Sequence, residues 1–236
     1  HPSAFYPFEQ AVSIASTTML AVPAIMTGIG PYQDSSLLYS QPMIFEMGQQ
    51  LDYRTFFLSS HTLQWYRFDT FYKNCRIDYL WNKDVSGIPY YNDLGIKDEI
   101  TIEAAKKCLF QGKHPFFGVI QLNTTHFPFH VPKAYEKWND QFSASYDNAV
   151  RYQDVLVGRL LEHLKKSKLL ENTAIFFVSD HGESLMEHRN IGHAETNYTE
   201  TIRIPLFAYI PPKFLSNQQK KSLHQNKKLL CSNIDI

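Results

Sequence analysis

The sequence is short of long apolar runs. No window approaches the roughly 18 uninterrupted apolar residues of a membrane-spanning helix, although 44% of its 236 residues are hydrophobic. No signal peptide is visible, so the chain as it stands is expected to be soluble. An excess of charge of one sign is missing too: Lys plus Arg equal Asp plus Glu at 23 each, and no global field recruits nucleic acid or an anionic membrane. The basic pairs Lys165-Lys166, Lys220-Lys221 and Lys227-Lys228 are short and scattered, and they read as solvated helix faces. Nucleic acid is therefore not an expected partner. Cysteine is scarce: Cys75, Cys108 and Cys231 show no CxxC or zinc-knuckle spacing, and an odd number cannot pair completely within the chain. They leave the redox compartment undecided. There is no internal repeat and no low-complexity tract.

What is there is enough to bury a sizeable core, and residues 1–236 read as one α/β domain rather than two. Both ends are expected to be cut, since residue 1 is not Met and Ser232 to Ile236 has the look of a strand start with nothing after it. Apolar periodicity predicts strands at Tyr53 to Leu58, Pro115 to Leu122, Thr173 to Ser179 and Ile204 to Ile210, and helices at Asp98 to Phe110 and Ser145 to Lys168. Short polar connections between Gln111 and Pro115 and between Leu169 and Thr173 suit crossover units. The expected fold class is α/β, with a mostly parallel central sheet flanked by helices. In the long helix, Val150, Leu156, Leu160, Leu161 and Leu164 form the apolar stripe, and His163 is expected at the surface.

Ser179-Asp180-His181-Gly182-Glu183 follows the apolar run Thr173 to Val178 directly. Asp, His and Gly after a strand are ordinary turn residues. At the carboxyl end of a buried strand they also stand where open α/β sheets carry ligand chemistry, and they offer a metal one oxygen and one nitrogen. Two further histidines keep them company: His193 in Asn190-Ile191-Gly192-His193, and His126 in Thr124-Thr125-His126-Phe127-Pro128, just past a strand-like run. His130 and His188 lie near these motifs and are candidates for supporting roles.

Near the amino end, Ser16-Thr17-Thr18 precedes a short apolar segment containing Pro23. For Ser16 and Thr17 a helix N-cap is a sufficient role, with Pro23 suited to a first turn. Thr18 has a second role open to it. A hydroxyl is a poor nucleophile at neutral pH, and a bound divalent metal can lower its pKa while helix N–H groups stabilise an anion.

Thr18 to Gly28, Thr-His-Phe-Pro at 125 to 128, Ser-Asp-His-Gly-Glu-Ser-Leu at 179 to 185, Gly192-His193 and Arg203-Ile204-Pro205-Leu206 occur in the order seen in the sulfatase-like branch of the alkaline phosphatase superfamily. The chain most resembles the bacterial cell-envelope phosphoglycerol and phosphoethanolamine transferases. The resemblance implies an alkaline-phosphatase-like fold, truncated at both ends, and an extracytoplasmic catalytic domain whose membrane anchor lies outside this chain. It also implies Thr18 as nucleophile, Asp180 and His181 as ligands of the metal beside it, and His126 and His193 facing the transferred phosphate, as phosphate-binding groups or ligands of a second metal; the Thr oxygen, carboxylate and imidazole set so implied suits zinc or manganese. Glu183 would support the loop. A lipid head-group donor would pass its phosphoryl group through a phospho-threonine to an acceptor hydroxyl or to water.

Departures from the family pattern sort the alternatives. Formylglycine sulfatases carry a C/S-x-P-x-R motif, and nothing around Thr18 has it, which disfavours sulfate-ester hydrolysis. The phosphoethanolamine enzymes usually bracket the nucleophile with a cysteine pair, and Ile14 and Ala24 stand there instead. Ser59 to Arg67 resembles the substrate loop of the phosphoglycerol enzymes, with Trp65 and Arg67 at the spacing of their head-group contacts, while His61 does not fall at that loop's histidine and its role stays open. Trp65 is equally a candidate core aromatic and Arg67 a candidate surface charge. The family also takes an acidic metal ligand from a strand some tens of residues before the nucleophile; only 17 residues precede Thr18, and Glu9 lies too close. An inactive anion-binding fragment, or a sulfatase-like ester hydrolase without formylglycine, therefore stands as the alternative. Oligomeric state is left open.

Overall fold

The computed structural model describes residues 4–111, 115–139 and 142–236, so most of the predicted connection between Gln111 and Pro115 lies outside the described residues. In chain order the elements are β1 (Phe5–Pro7), β2 (Gln10–Val12), α1 (Thr18–Thr27), α2 (Ile44–Gln50), β3 (Arg54–Ser59), α3 (Phe68–Tyr72), β4 (Tyr79–Trp81), α4 (Lys83–Ser86) and α5 (Asp98–Cys108). Then come β5 (Phe116–Gln121), α6 (Phe142–Lys166), β6 (Ile175–Val178), β7 (Ser184–Leu185), β8 (Ile191–Gly192), α7 (Thr199–Ile202), β9 (Leu206–Tyr209), α8 (Asn217–Asn226) and β10 (Leu230–Ser232). They fall into two compact units, one formed by 1–41 with 164–236 and the other by 42–163.

The second unit contains a parallel sheet of order β4-β3-β5, in which Arg54 to Ser59 of β3 run beside Phe116 to Gln121 of β5. Five of the six β3 residues are buried. Phe56, Phe57 and Leu58 are inside, each worth about 1.5–3 kcal/mol of burial. Helix α5 lies between β4 and β5 in sequence, as a parallel crossover requires. It buries Ile102 against Tyr152 and Leu156 of α6. That long helix starts at Phe142, three residues before the predicted start, and its apolar stripe is the predicted one except at Val150: Leu156 and Leu164 are buried and Leu160 packs beside them, whereas Val150 is exposed. His163 is half-buried, its ring edge-on to Phe110 at 5.0 Å, rather than a surface residue.

The first unit corrects the parallel expectation locally. Strand β6 pairs with β9 antiparallel, β9 pairs with β1 antiparallel, and only β10-β2 is parallel. Between Val178 and Leu206 the chain returns through the β7-β8 hairpin and the single-turn α7 instead of a long crossover helix, and such a return delivers an antiparallel neighbour. Phe177 stacks on Phe207 at 5.3 Å across that pair. Helix α1 opens where the Ser/Thr cluster placed it, but Thr17 at the N-cap makes no side-chain cap bond, and Pro23 sits mid-helix rather than in the first turn. There it cannot donate to the carbonyl of Met19 one turn earlier.

Candidate active site

In the first unit, the end of β6 and the start of α1 meet. Thr18, the first residue of α1, has its Oγ1 2.7 Å from Asp180 Oδ2 and 2.9 Å from His181 Nε2. Asp180 Oδ2 and His181 Nε2 are 3.4 Å apart. His181 Nδ1 donates to the carbonyl of Gly182 at 2.7 Å, so the neutral form of the ring, the one that ligates a metal, presents its lone pair at Nε2. The Thr18 hydroxyl has one hydrogen and faces two acceptors, so one of its two short contacts holds no proton. A cation among the three atoms relieves that mismatch. Their mutual separations of 2.7–3.4 Å suit metal–ligand distances of about 2.0–2.2 Å. The donor set therefore fits zinc or manganese, with two oxygens and one nitrogen; among the described residues no cluster of three or more His, Cys, Asp or Glu side chains adds to it.

The corner is held by close backbone approach. Gly182 donates to the carbonyl of Thr201 at 2.9 Å, and a Cβ on it would stand 2.1 Å from the carbonyl oxygen of Glu200. Only glycine lets the chain pass α7 here.

His193 joins the same group. Its ring centroid is 4.0 Å from that of His181, and its Nδ1 meets Glu183 Oε1 at 3.0 Å. Burial pulls its pKa down most strongly as a single influence, but the hydrogen bond and charge of Glu183 together with the charge of Asp180 prevail and hold it above the ordinary value. Glu183, which is 7% exposed, thus supports the loop through the second histidine. Ala194 donates to the carbonyl of Ser16 at 2.8 Å, tying the His193 segment to the approach to Thr18.

The other predicted residues lie in the second unit. Beyond the carboxyl ends of β3 and β5, the rings of His61, Trp65 and His126 group together: His61 to Trp65 is 6.0 Å, His61 to His126 6.5 Å and Trp65 to His126 6.2 Å. Trp65 is 40% exposed and so is not a core aromatic. Arg67 does not join this group; its side chain is 76% exposed and its guanidinium turns to Asp69 at 3.2 Å and Thr70 at 2.9 Å. Tyr66 and Arg67 both hold positive φ, at 50° and 59°, a conformation that costs non-glycine residues energy and clusters at functional loops.

His61 does not fall at the family loop's histidine, which left its role open in the sequence; its position just past β3 was the available signal. Two carboxylates fix this loop region. Asp84 accepts from Thr62 Oγ1 at 2.6 Å and from the Leu63 N–H at 2.8 Å. Asp98, fully buried, accepts from Ser60 Oγ and from the N–H groups of Asn123 and Thr124. His130 packs edge-on against Tyr91 at 6.1 Å, and in the first unit His188 stacks on Tyr198 at 3.9 Å and bonds Glu200 at 2.7 Å.

The sulfatase family model matches residues 6–236. The chain is 22% identical over 205 residues to the Kdo(2)-lipid A phosphoethanolamine 7''-transferase of Salmonella typhimurium, covering 78% of this chain and 34% of that protein. It is 28% identical over 188 residues to a lipoteichoic acid synthase-like protein of Bacillus subtilis, covering 72% and 30%. The chain thus spans about a third of the length of these relatives. Among solved structures, the zinc complex of the C-terminal periplasmic domain of EptC from Escherichia coli superposes with a TM-score of 0.75 at 16% identity, covering 98% of this chain and 69% of that one. The fold is the alkaline-phosphatase-like α/β fold expected from the sequence motifs.

Proposed function

The chain belongs to the sulfatase family, and from that premise we propose that residues 1–236 form one catalytic domain of a metal-dependent phosphotransferase or phosphodiester hydrolase acting on lipid head groups, with Thr18 as nucleophile. The observation that carries this reading is Thr18 Oγ1 bracketed by Asp180 Oδ2 and His181 Nε2 at 2.7 and 2.9 Å. The relatives' names, a phosphoethanolamine transferase and a lipoteichoic acid synthase-like protein, support a phosphorylated lipid head group as donor.

Thr18, Asp180 and His181 would hold a divalent cation, zinc or manganese, which supplies positive charge that lowers the pKa of the Thr18 hydroxyl and offsets charge on the phosphoryl oxygens. The residues do the rest. The hydrogen that Thr18 Oγ1 shares with Asp180 Oδ2 would pass to solvent, leaving both oxygens free as donors to the cation. Thr18 Oγ1 attacks phosphorus, the Oγ1–P bond forms as the P–O bond to the lipid alcohol breaks, and the departing oxygen takes a proton from solvent. Thr18 stands at the amino end of the ten-residue α1, where free N–H groups favour a developing anion. His193, oriented by Glu183, donates to a phosphoryl oxygen, the kind of preset charge that phosphoryl transfer relies on. An acceptor hydroxyl or water then attacks the phospho-threonine and gives up its proton to solvent, the Oγ1–P bond breaks as the new O–P bond forms, and Thr18 is freed.

His61, Trp65 and His126 offer an aromatic, hydrogen-bonding surface for the head group, and Arg67 would reach it after leaving Asp69. Ile14 and Ala24 in place of a cysteine pair favour phosphoglycerol over phosphoethanolamine. A membrane anchor outside this chain and an extracytoplasmic location fit a relative that is a periplasmic domain. No helix among the described residues is long and apolar enough to cross a membrane.

The test is turnover of phosphatidylglycerol and phosphatidylethanolamine analogues by the full-length protein and its Thr18→Ala variant, with a chelator arm and mass spectrometry of the Thr18 peptide. Thr18→Ala should lose about 10³-fold or more, the range for removal of a catalytic nucleophile, and the wild-type peptide should carry a trapped phosphoryl adduct. Full activity of Thr18→Ala, or preference for an aryl sulfate over both phospholipids, overturns the reading.

A further inference from the structure

We propose that Asn233, near the end of the chain and far in sequence from every motif, is a positioning residue that sets the geometry between the segment carrying Thr18 and the segment carrying Asp180 and His181. The inference rests on the catalytic reading of Thr18, Asp180 and His181 given above. Strand β10 runs parallel to β2 with Ser232 opposite Val12, which brings the next residue, Asn233, beside Ser13. Its side chain is fully buried, at 0% exposure. The amide uses both ends. Oδ1 accepts the N–H of Ile14 at 3.0 Å, and Nδ2 donates to the carbonyl of Asp180 at 2.8 Å and to Ser13 Oγ at 3.0 Å, with the carbonyl of Ser179 at 3.5 Å. Ser13 Oγ in turn donates to the same Asp180 carbonyl.

One side chain therefore clamps residues 13 and 14, just before α1, to the residue whose carboxylate faces Thr18. These contacts bridge 53 and 219 residues of sequence, so no local turn duplicates them. A carboxamide is the group that donates and accepts from one planar head. An Asp in its place keeps the acceptor for Ile14 and turns an oxygen against the carbonyls of Asp180 and Ser179. An Ala takes the acceptor from the part-buried N–H of Ile14 and one of two donors from the Asp180 carbonyl. Displacements of a fraction of an ångström between Thr18 Oγ1 and Asp180 weaken a three-donor cation site and misalign an in-line attack.

The experiment compares Asn233→Ala, Asn233→Asp and Ser13→Ala in the full-length protein with Thr18→Ala and with Tyr6→Leu, a buried change in β1 chosen as a destabilised control. The measurements are kcat and KM for the phospholipid analogue, zinc affinity by titration against a competing chelator, and the melting temperature of the metal-free protein. We expect the Asn233 variants to lose at least tenfold in kcat and tenfold in zinc affinity with KM within twofold, and Ser13→Ala about threefold in both. Tyr6→Leu should melt lower with kcat and zinc affinity unchanged. Asn233 variants that lose only melting temperature, as Tyr6→Leu does, overturn the proposal. If neither Asn233 variant folds, Ser13→Ala decides in the same way: loss of kcat and zinc affinity supports the clamp, and wild-type values overturn it. Retained activity in Thr18→Ala sinks the catalytic reading instead, whatever Asn233 does, and an inactive Thr18→Ala beside unaffected Asn233 variants sinks only the clamp.

Discussion

Asp98 offers a test that does not depend on any bound ion. Its buried carboxylate receives the N–H of Asn123 at 2.9 Å and of Thr124 at 2.8 Å as well as the Ser60 hydroxyl, and so joins the ends of β3 and β5 just before His61 and His126. Asp98→Ala strips the acceptor from two buried backbone donors, each costing about 1–3 kcal/mol when left unpaired, so the variant should lose about 2–6 kcal/mol of unfolding free energy. Asp98→Asn keeps one oxygen for the two N–H groups and turns an NH₂ to the Ser60 oxygen, and it should lose about 1 kcal/mol or less.

The two side chains also differ in how they respond to pH. Burial, the largest influence, raises the Asp98 pKa above its ordinary value of 3.8, against the downward pull of Ser60, Thr124 and Asn123. A group whose folded pKa lies above its unfolded one contributes stability that is full below the unfolded value and is lost as pH rises through the folded value. Wild type should therefore be most favoured over Asp98→Asn below pH 3.8 and lose that advantage as pH rises above it. Urea unfolding of the three proteins across this range measures both effects, with a rise in KM for the lipid analogue expected in Asp98→Ala. A cost below about 1 kcal/mol for Asp98→Ala, or a gap between wild type and Asp98→Asn that does not narrow with rising pH, would refute the reasoning.

Two further outcomes are expected. Gly182→Ala places a methyl 2.1 Å from the Glu200 carbonyl oxygen. Backbone must move there, so the variant should melt lower by the equivalent of about 2 kcal/mol or more and lose turnover, and an unchanged melting curve would contradict the close approach. Burial and the charge of Glu46 push the Cys75 thiol up to about 12. At pH 8 its thiolate fraction is then about 10⁻⁴; alkylation should be slow beside that of a free cysteine, and a rate matching free cysteine would mean that Cys75 is not held in this environment.

Strong local patterns were legible. The apolar runs of β3, β5, β6 and β9 and the helical spacing of α5 and α6 located those elements to within a few residues, because side-chain alternation and the helical repeat act over neighbours in sequence. Three-residue strands such as β1, β2 and β10 carry too little pattern to be seen. The antiparallel pairing of β6 with β9 was not legible either, since register is decided by the partner strand and by the chain's return path through β7, β8 and α7. Val150 and His163 were misplaced because periodicity defines a helix face but not which neighbour covers it.

The candidate site divides the same way. Residue type and order alone singled out Thr18, Asp180, His181, His126 and His193, since a hydroxyl, a carboxylate and imidazoles at element ends are chemistry that sequence displays. They also carried the family, which the match over residues 6–236 bears out. Tertiary structure decided the rest: that Thr18 lies within 3 Å of both Asp180 and His181, that Glu183 serves His193, that Arg67 faces Asp69, and that His61 joins Trp65 and His126. Asn233 was invisible in one dimension, because a lone Asn near a chain end acquires its part only when β10 settles beside β2 and closes a span of more than 200 residues. Composition and local repeat set what each segment could become; the pairing of distant strands set which atoms meet.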